Sequence, residues 1–159
     1  MNSHSNQSLK KLSHQWRRIN ALWYKAYAPF LKKLKITYTQ AIVLTTVEFL
    51  KKPTKSETSQ YMRAEQQSIT RAINSLVEKN MLIRESDKND TRFIRLSLTE
   101  QGATTAAKIQ TFLNNTWTES LDGIQEQDFE IFNRNLDCII KNMESNILGS
   151  NETPVKLYW

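Results

Sequence analysis

The chain has 159 residues, 39% hydrophobic and 24% charged, with only three glycines and three prolines. This is one domain, or one domain with an arm, and it has too few turn formers for an all-β sandwich or barrel or for a Gly-rich phosphate loop. The formal charge of +6 is unevenly spread: residues 1–50 hold eight Lys/Arg against the single acid Glu48, residues 51–95 hold ten against six, and residues 96–159 hold four against nine, so a basic front faces an acidic back.

Residues 9–34 place Leu9, Leu12, Trp16, Ile19, Trp23, Tyr27, Phe30 and Leu34 at steps of three and four, one long apolar stripe on a helix. Pro29 is expected to kink or divide that helix near Ala28. A stripe this long needs a large partner surface, which marks an assembly helix. Thr37 and Gln40 have capping-box spacing and open a second helix through Val43, Leu44, Val47 and Leu50. Lys51-Lys52-Pro53 ends it. Thr54 and Glu57 form a second capping box and open a short helix to about Met62. A third helix runs from about Gln66 to Lys79, with Ile69, Ile73, Leu76 and Val77 inward.

Two strand-like runs follow, 81–85 and 93–98, with Ile94, Leu96 and Leu98 alternating onto one face. The polar stretch 86–92 between them reads as the tip of a hairpin. Thr99 caps a long helix from about Glu100 to Leu121, Asp122-Gly123 breaks it, and a last helix reaches about Leu148, with Gly149 as a stop. The expected architecture is mainly α with a small β-hairpin wing. It comprises an N-terminal dimerisation helix (1–36), a winged helix-turn-helix (37–100), C-terminal dimerisation helices (101–148) and a tail (149–159).

The outer face of the third helix tests that reading. At 100° per residue, Gln66, Gln67, Thr70, Arg71 and Asn74 fall within an arc of about 140°. Gln and Asn bond adenine bidentately and Arg bonds guanine, so this face can read bases. An ordinary solvated face is the competing reading, but such faces usually mix Glu with Lys.

The hairpin tip resembles the MarR family of bacterial transcription regulators. The family's wing runs Asp-x-x-Asp-x-Arg, then alternating residues, then Leu-Thr-x-x-Gly. Here it stands as Asp87-Lys88-Asn89-Asp90-Thr91-Arg92, then Phe93 to Ser97, then Leu98-Thr99-Glu100-Gln101-Gly102. The family's Thr-x-x-Gln stands as Thr37 to Gln40. Asn80 departs from the family's usual Gly, and Asn is the next-best residue for a left-handed cap. The resemblance covers the segment order from about 9 to 148 and is specific over 37–102. It implies a homodimer with interwoven first and last helices. It also implies that Arg92 enters a minor groove and that Asp90 holds it. The residues agree: a guanidinium suits the concentrated negative potential of a narrow groove, and an unpaired acid there would be repelled by phosphates.

Lys51, Lys52, Lys55, Arg63, Lys88 and Arg95 are candidate phosphate contacts, which add affinity without sequence information. Tyr24 and Tyr27 keep hydroxyls that could reach a small aromatic or anionic effector of the kind relatives bind, whereas Trp16, Trp23 and Phe30 read as dimer core. Cys138, the one cysteine, reads as a buried structural thiol and excludes an intrachain disulfide. His4 and His14 lack companion ligands, so neither a metal nor another cofactor is expected. The sequence has no G-x-S-x-G, no Gly-Lys-[Ser/Thr], no His-Glu-x-x-His, and hence no expected catalytic residues. The polar start and the short aliphatic runs point to a soluble cytoplasmic protein without a membrane partner. The leading expectation is a homodimeric regulator of the MarR type, a ligand-responsive repressor that binds double-stranded DNA at an inverted repeat. The alternative is a winged-helix protein-interaction module without specific DNA readout.

Overall fold

A computed structural model describes residues 5–87, 90 and 92–147. Helix α1 spans Asn6–Leu34 and ends where Lys35 takes a left-handed backbone. In the first capping box Gln40 N donates to Thr37 Oγ1 at 3.2 Å and Thr37 N donates to Gln40 Oε1 at 3.0 Å. These bonds satisfy two main-chain donors that the helix cannot, and α2 (Tyr38–Leu50) starts there. The second box repeats this, with Glu57 N to Thr54 Oγ1 at 3.1 Å and Thr54 N to Glu57 Oε2 at 2.6 Å, and opens α3 (Lys55–Met62). Arg63 turns the chain with a φ of 46°, and α4 (Gln66–Glu78) follows.

The wing is an antiparallel pair, β1 (Leu82–Ser86) and β2 (Ile94–Leu98), in the register Leu82↔Leu98, Arg84↔Leu96 and Ser86↔Ile94. Main-chain bonding also ties β2 to the loop before α3, with Leu96 N donating to the Pro53 carbonyl at 2.8 Å. Helix α5 (Glu100–Ser120) is capped by Thr99, and α6 (Glu126–Asn142) passes into a π-helical turn, Met143–Ile147.

The core surrounds α2, whose Ala41, Val43, Leu44 and Val47 are buried. Ile69, Ile73 and Leu76 of α4, Leu82 and Leu96 of the wing and Ile109 of α5 close around them. Only the end of α1 joins this core, through Tyr27 and Leu31. Its earlier turns leave Leu9, Leu12, Trp16, Ile19 and Leu22 about half exposed, and α6 buries no residue.

Several expectations change. Pro29 does not divide α1, which runs unbroken. Both Pro29 and Lys25, whose carbonyl loses its usual donor, are exposed, where water can supply a replacement bond. Ile94 lies exposed at the distal end of β2, beyond the reach of the core, so the expected alternation reduces to Leu96 and, in part, Leu98. Val77 is half-buried, and Ala72 takes its place on the inner face of α4. Cys138 is exposed in the single chain, because α6 packs on no core. The proposed stop at Gly149 and the tail lie outside the described residues.

Asn80 adopts a φ of 54°, the left-handed cap that its family position requires. Gly102 has a different constraint: a Cβ added there would lie 1.9 Å from the Met81 carbonyl oxygen. That oxygen accepts a bond from Thr99 N, so neither backbone can retreat cheaply. Gly102→Ala should therefore destabilise the chain by about 2–3 kcal/mol, the upper part of the range for overpacking. Urea denaturation should show a lowered midpoint at an unchanged slope. A midpoint equal to the parent's would mean that this junction is loose.

Candidate nucleic-acid interface

On α4, Gln66, Gln67, Arg71 and Asn74 are exposed and Thr70 is half-buried, opposite the buried Ile69, Ala72, Ile73 and Leu76. Gln66, Gln67 and Arg71 make no side-chain hydrogen bond among the described residues. Thr70 Oγ1 donates to the Gln66 carbonyl at 2.7 Å, inside its own helix. Asn74 Oδ1 accepts from the Arg84 guanidinium of β1, which leaves its NH2 group to donate outward. Sequence reasoning passed over Arg84. The signal was alternation, since Arg84 falls between Leu82 and Ser86 on the wing face that adjoins α4. Glu78 shares the angular sector of the reading face, but at 1.5 Å rise per residue it lies about 18 Å from Gln66, at the far end of the helix.

At the wing tip, Asp90 grips Arg92 through both carboxylate oxygens. Arg92 Nε donates to Oδ1 at 2.9 Å, Nη2 donates to Oδ2 at 2.7 Å, and the Arg92 main-chain N donates to Oδ1 at 3.0 Å. The Arg92 side chain is nonetheless 85% exposed. The pair thus presents an oriented cation to solvent. The Arg92 side chain first, and its main-chain N–H second, hold the Asp90 carboxyl below its ordinary range.

The other basic candidates divide into two groups. Lys51 and Lys55 are exposed and make no ion pair among the described residues. Lys52 pairs with Glu85 at 2.9 Å, and Arg63 pairs with Glu144 of the π-helical turn at 3.0 Å. Arg95 departs furthest from a phosphate contact. Its guanidinium is held by Asp87 at 2.6 Å and Glu57 at 2.9 Å. Two carboxylates on one cation leave no positive charge to offer a polyanion. Lys88 lies outside the described residues.

The two tyrosines are not brought together. Tyr24 is exposed, whereas Tyr27 is 3% exposed and packs against Phe30, Phe112 and Tyr38. Burial, and then the neighbouring Tyr38, push its phenol up to about 12. It is a core residue. An open groove of about 600 Å³ lies instead beside the Phe30–Phe112 stack, whose ring centres are 4.3 Å apart, with Lys108 and Thr111 on its rim.

Residues 25–109 match the family described as Transcriptional regulator SarA/Rot. Among solved structures, a MarR family protein from Bacillus stearothermophilus is 18% identical, with a TM-score of 0.74 over 89% of this chain and 99% of that one. MepR of Staphylococcus aureus, solved as a DNA complex, is 16% identical, with a TM-score of 0.75 over 83% and 96%. The Staphylococcus aureus MarR solved with salicylate and kanamycin is 17% identical, with a TM-score of 0.76 over 87% and 93%. At these identities the likeness is one of fold.

The Asp90–Arg92 grip has a direct signature. A carboxyl whose folded pKa is depressed stabilises above its unfolded pKa, and the contribution disappears as pH falls through the folded value. In a carbon-detected NMR titration Asp90 should therefore titrate below the ordinary aspartate value of about 3.9. Arg92→Gln should return it towards that value. An ordinary midpoint in the parent chain would show that the grip does not persist in solution.

Proposed function

Because the chain belongs to the family of SarA/Rot transcriptional regulators, we propose that it is a sequence-specific repressor that binds an inverted-repeat operator as a homodimer. What supports this reading is a pair of exposed polar surfaces carried by one shared core. The first is the uncommitted Gln66, Gln67 and Arg71 at the start of α4. The second is an arginine held outward at the wing tip.

In this reading the first two turns of α4 enter the major groove, where Arg71 and the glutamines bond base edges and Asn74, steadied by Arg84, reaches the last base. Arg92 lies in the flanking minor groove, where a planar, weakly hydrated guanidinium is favoured over an ammonium. Lys51 and Lys55 contact phosphates.

Residues 1–36 and 101–148 form the dimer. The half-exposed stripe on α1 and the exposed Ile131, Phe132, Ile139 and Ile140 of α6 are apolar surfaces without a partner in one chain, and such surfaces mark interfaces. The excess of acids beyond residue 96 complements the basic α1. A dyad then sets half-sites about 10 base pairs apart, centre to centre. A small aromatic or anionic effector fits the groove beside Phe30, Phe112 and Lys108 better than Tyr24 and Tyr27, because the groove combines an aromatic wall with a cation.

An electrophoretic shift with DNA from upstream of the chain's own gene, against scrambled competitor, tests the reading; binding indifferent to sequence overturns it. Arg71→Ala should cost about 1–3 kcal/mol at the cognate site and relax choice at one base pair. Lys55→Ala should weaken all sequences alike and lower the salt slope by about one. Equal losses on cognate and scrambled DNA would remove Arg71 from the base-reading set.

Leu12→Glu with Ile19→Glu, two turns apart on the exposed stripe, should give a folded monomer in sedimentation that has lost the operator. A stable dimer after both changes would place the interface elsewhere.

A further inference from the structure

Three charged side chains, Arg95 and Asp87 near the tip of the wing and Glu57 in α3, are left unexplained by base reading and phosphate binding. Arg95 of β2 donates from Nε to Asp87 Oδ2 at 2.6 Å and from Nη1 to Glu57 Oε2 at 2.9 Å. Its side chain is 31% exposed and that of Asp87 only 14%, so water screens this pair less than a free surface pair. Both carboxylates have further duties. Glu57 Oε2 also accepts from Thr54 N and so closes the cap of α3. Asp87 Oδ1 accepts from Asp90 N at 3.2 Å, and Asp90 grips Arg92. The turn is closed by Asp87 N to the Phe93 carbonyl at 2.9 Å and Phe93 N to the Asp90 carbonyl at 3.0 Å. An unbroken series of bonds therefore runs from the first turn of α3, through Arg95, Asp87 and Asp90, to the guanidinium of Arg92.

We propose that Arg95 is a positioning residue: clamped between Glu57 and Asp87, it fixes the wing against the helix-turn-helix and so sets where Arg92 meets DNA relative to α4. The main chain of β2 is already joined to Pro53 and Thr54. That junction ties β2 by main-chain atoms, whereas β1 is held by its ladder to β2 and by the Arg84–Asn74 contact with α4. The Arg95 fork reaches both limbs. Only a guanidinium serves, because its donors diverge in a fixed plane, whereas an ammonium is a single point. This inference rests on the reading of Arg92 as a DNA contact.

The test is a double-mutant cycle on DNA. The probes are a fluorescent duplex carrying the inverted repeat that the parent protein selects from a random-sequence pool, and a scrambled duplex. Arg95→Gln should weaken cognate binding about tenfold, and that loss should shrink to near nothing when Arg92 is already Ala, because the two act as one unit. Arg95→Lys, which keeps the charge, should lose nearly as much as Arg95→Gln. Glu57→Gln keeps the cap acceptor while removing a negative charge; it should weaken cognate binding, although simple electrostatics predicts tightening.

If Arg95 contacts phosphate instead, Arg95→Lys binds as the parent does, Glu57→Gln binds more tightly, and Arg95→Gln and Arg92→Ala add on both duplexes. If the Arg95 contacts only hold the fold together, urea midpoints fall while the two effects on DNA still add. Either result overturns the proposal. Arg92→Ala alone separates the two levels of argument. If it leaves cognate affinity unchanged, the wing reading itself has failed; if it weakens binding and additivity persists, only the role of Arg95 has.

Discussion

The wing, α4 and α5 depend on one close approach, that of the Met81 carbonyl to the bare Cα of Gly102. Four elements meet within a few residues of it. Met81 N donates to the Leu76 carbonyl at the end of α4, and Thr99 N donates to the Met81 carbonyl. Thr99 Oγ1 donates to the Asn80 carbonyl at 2.7 Å and accepts from Gly102 N at 3.0 Å. Helix α4, both wing strands and the first turn of α5 are thereby joined by main-chain bonds and by the Thr99 hydroxyl. Anything that shifts α5 must shift the end of α4.

The charges around the wing follow a second principle. The stretch that faces a polyanion in the proposed function carries Glu57, Glu85, Asp87 and Asp90. By net charge alone these acids oppose binding. Each, however, sits against a cation: Lys52 with Glu85, Arg95 with both Glu57 and Asp87, Arg92 with Asp90. A long cationic side chain loses rotamer freedom when it docks, and a neighbouring carboxylate removes some of that freedom beforehand. Among the described cations paired with these acids Arg92 is the most exposed, at 85% against 61% for Lys52 and 31% for Arg95, so it combines orientation with availability most fully. The acids therefore determine which cation is presented, and net charge over the segment conceals that choice.

Much of this was legible in the sequence, for local reasons. Capping boxes involve residues three apart, helical faces repeat every three or four residues, and a left-handed cap at Asn80 is a property of one backbone position. The helices, the hairpin and the exposed face of α4 follow from such rules, and the SarA/Rot family membership agrees with the resemblance read from residues 37–102. What escaped was pairing across distance. Arg95 and Glu57 are 38 residues apart and Arg63 and Glu144 are 81 apart, and nothing in the spacing of a basic residue says which acid it will meet. Tyr27 shows the same limit: its place in the apolar stripe was plain, but whether its hydroxyl faced a groove or the core depended on Phe112 and Tyr38. Cys138 shows that an apolar neighbourhood in sequence does not ensure burial, because α6 has no core to bury it in.

That last failure bears on assembly. Helices α1 and α6 have the apolar periodicity of core helices, yet in one chain the first half of α1's stripe and all of α6 except the half-buried Phe129 and Leu136 stay open to water. Each half-exposed Leu, Ile or Phe forgoes a good part of the roughly 1.5–3 kcal/mol that full burial would contribute. With Trp16, Tyr24, Trp117 and Met143 included, about a dozen large apolar side chains are exposed over α1, the end of α5, α6 and the turn after it. Exposed apolar surface of this extent favours association, and in the proposed dimer a second copy would bury it without any new sequence feature. The proposed homodimer is thus the arrangement in which the periodicity and the exposure agree. In that proposed dimer the Met81–Gly102 junction would fix each α4 to α5, so that the spacing of the two α4 helices would be set by the helical base.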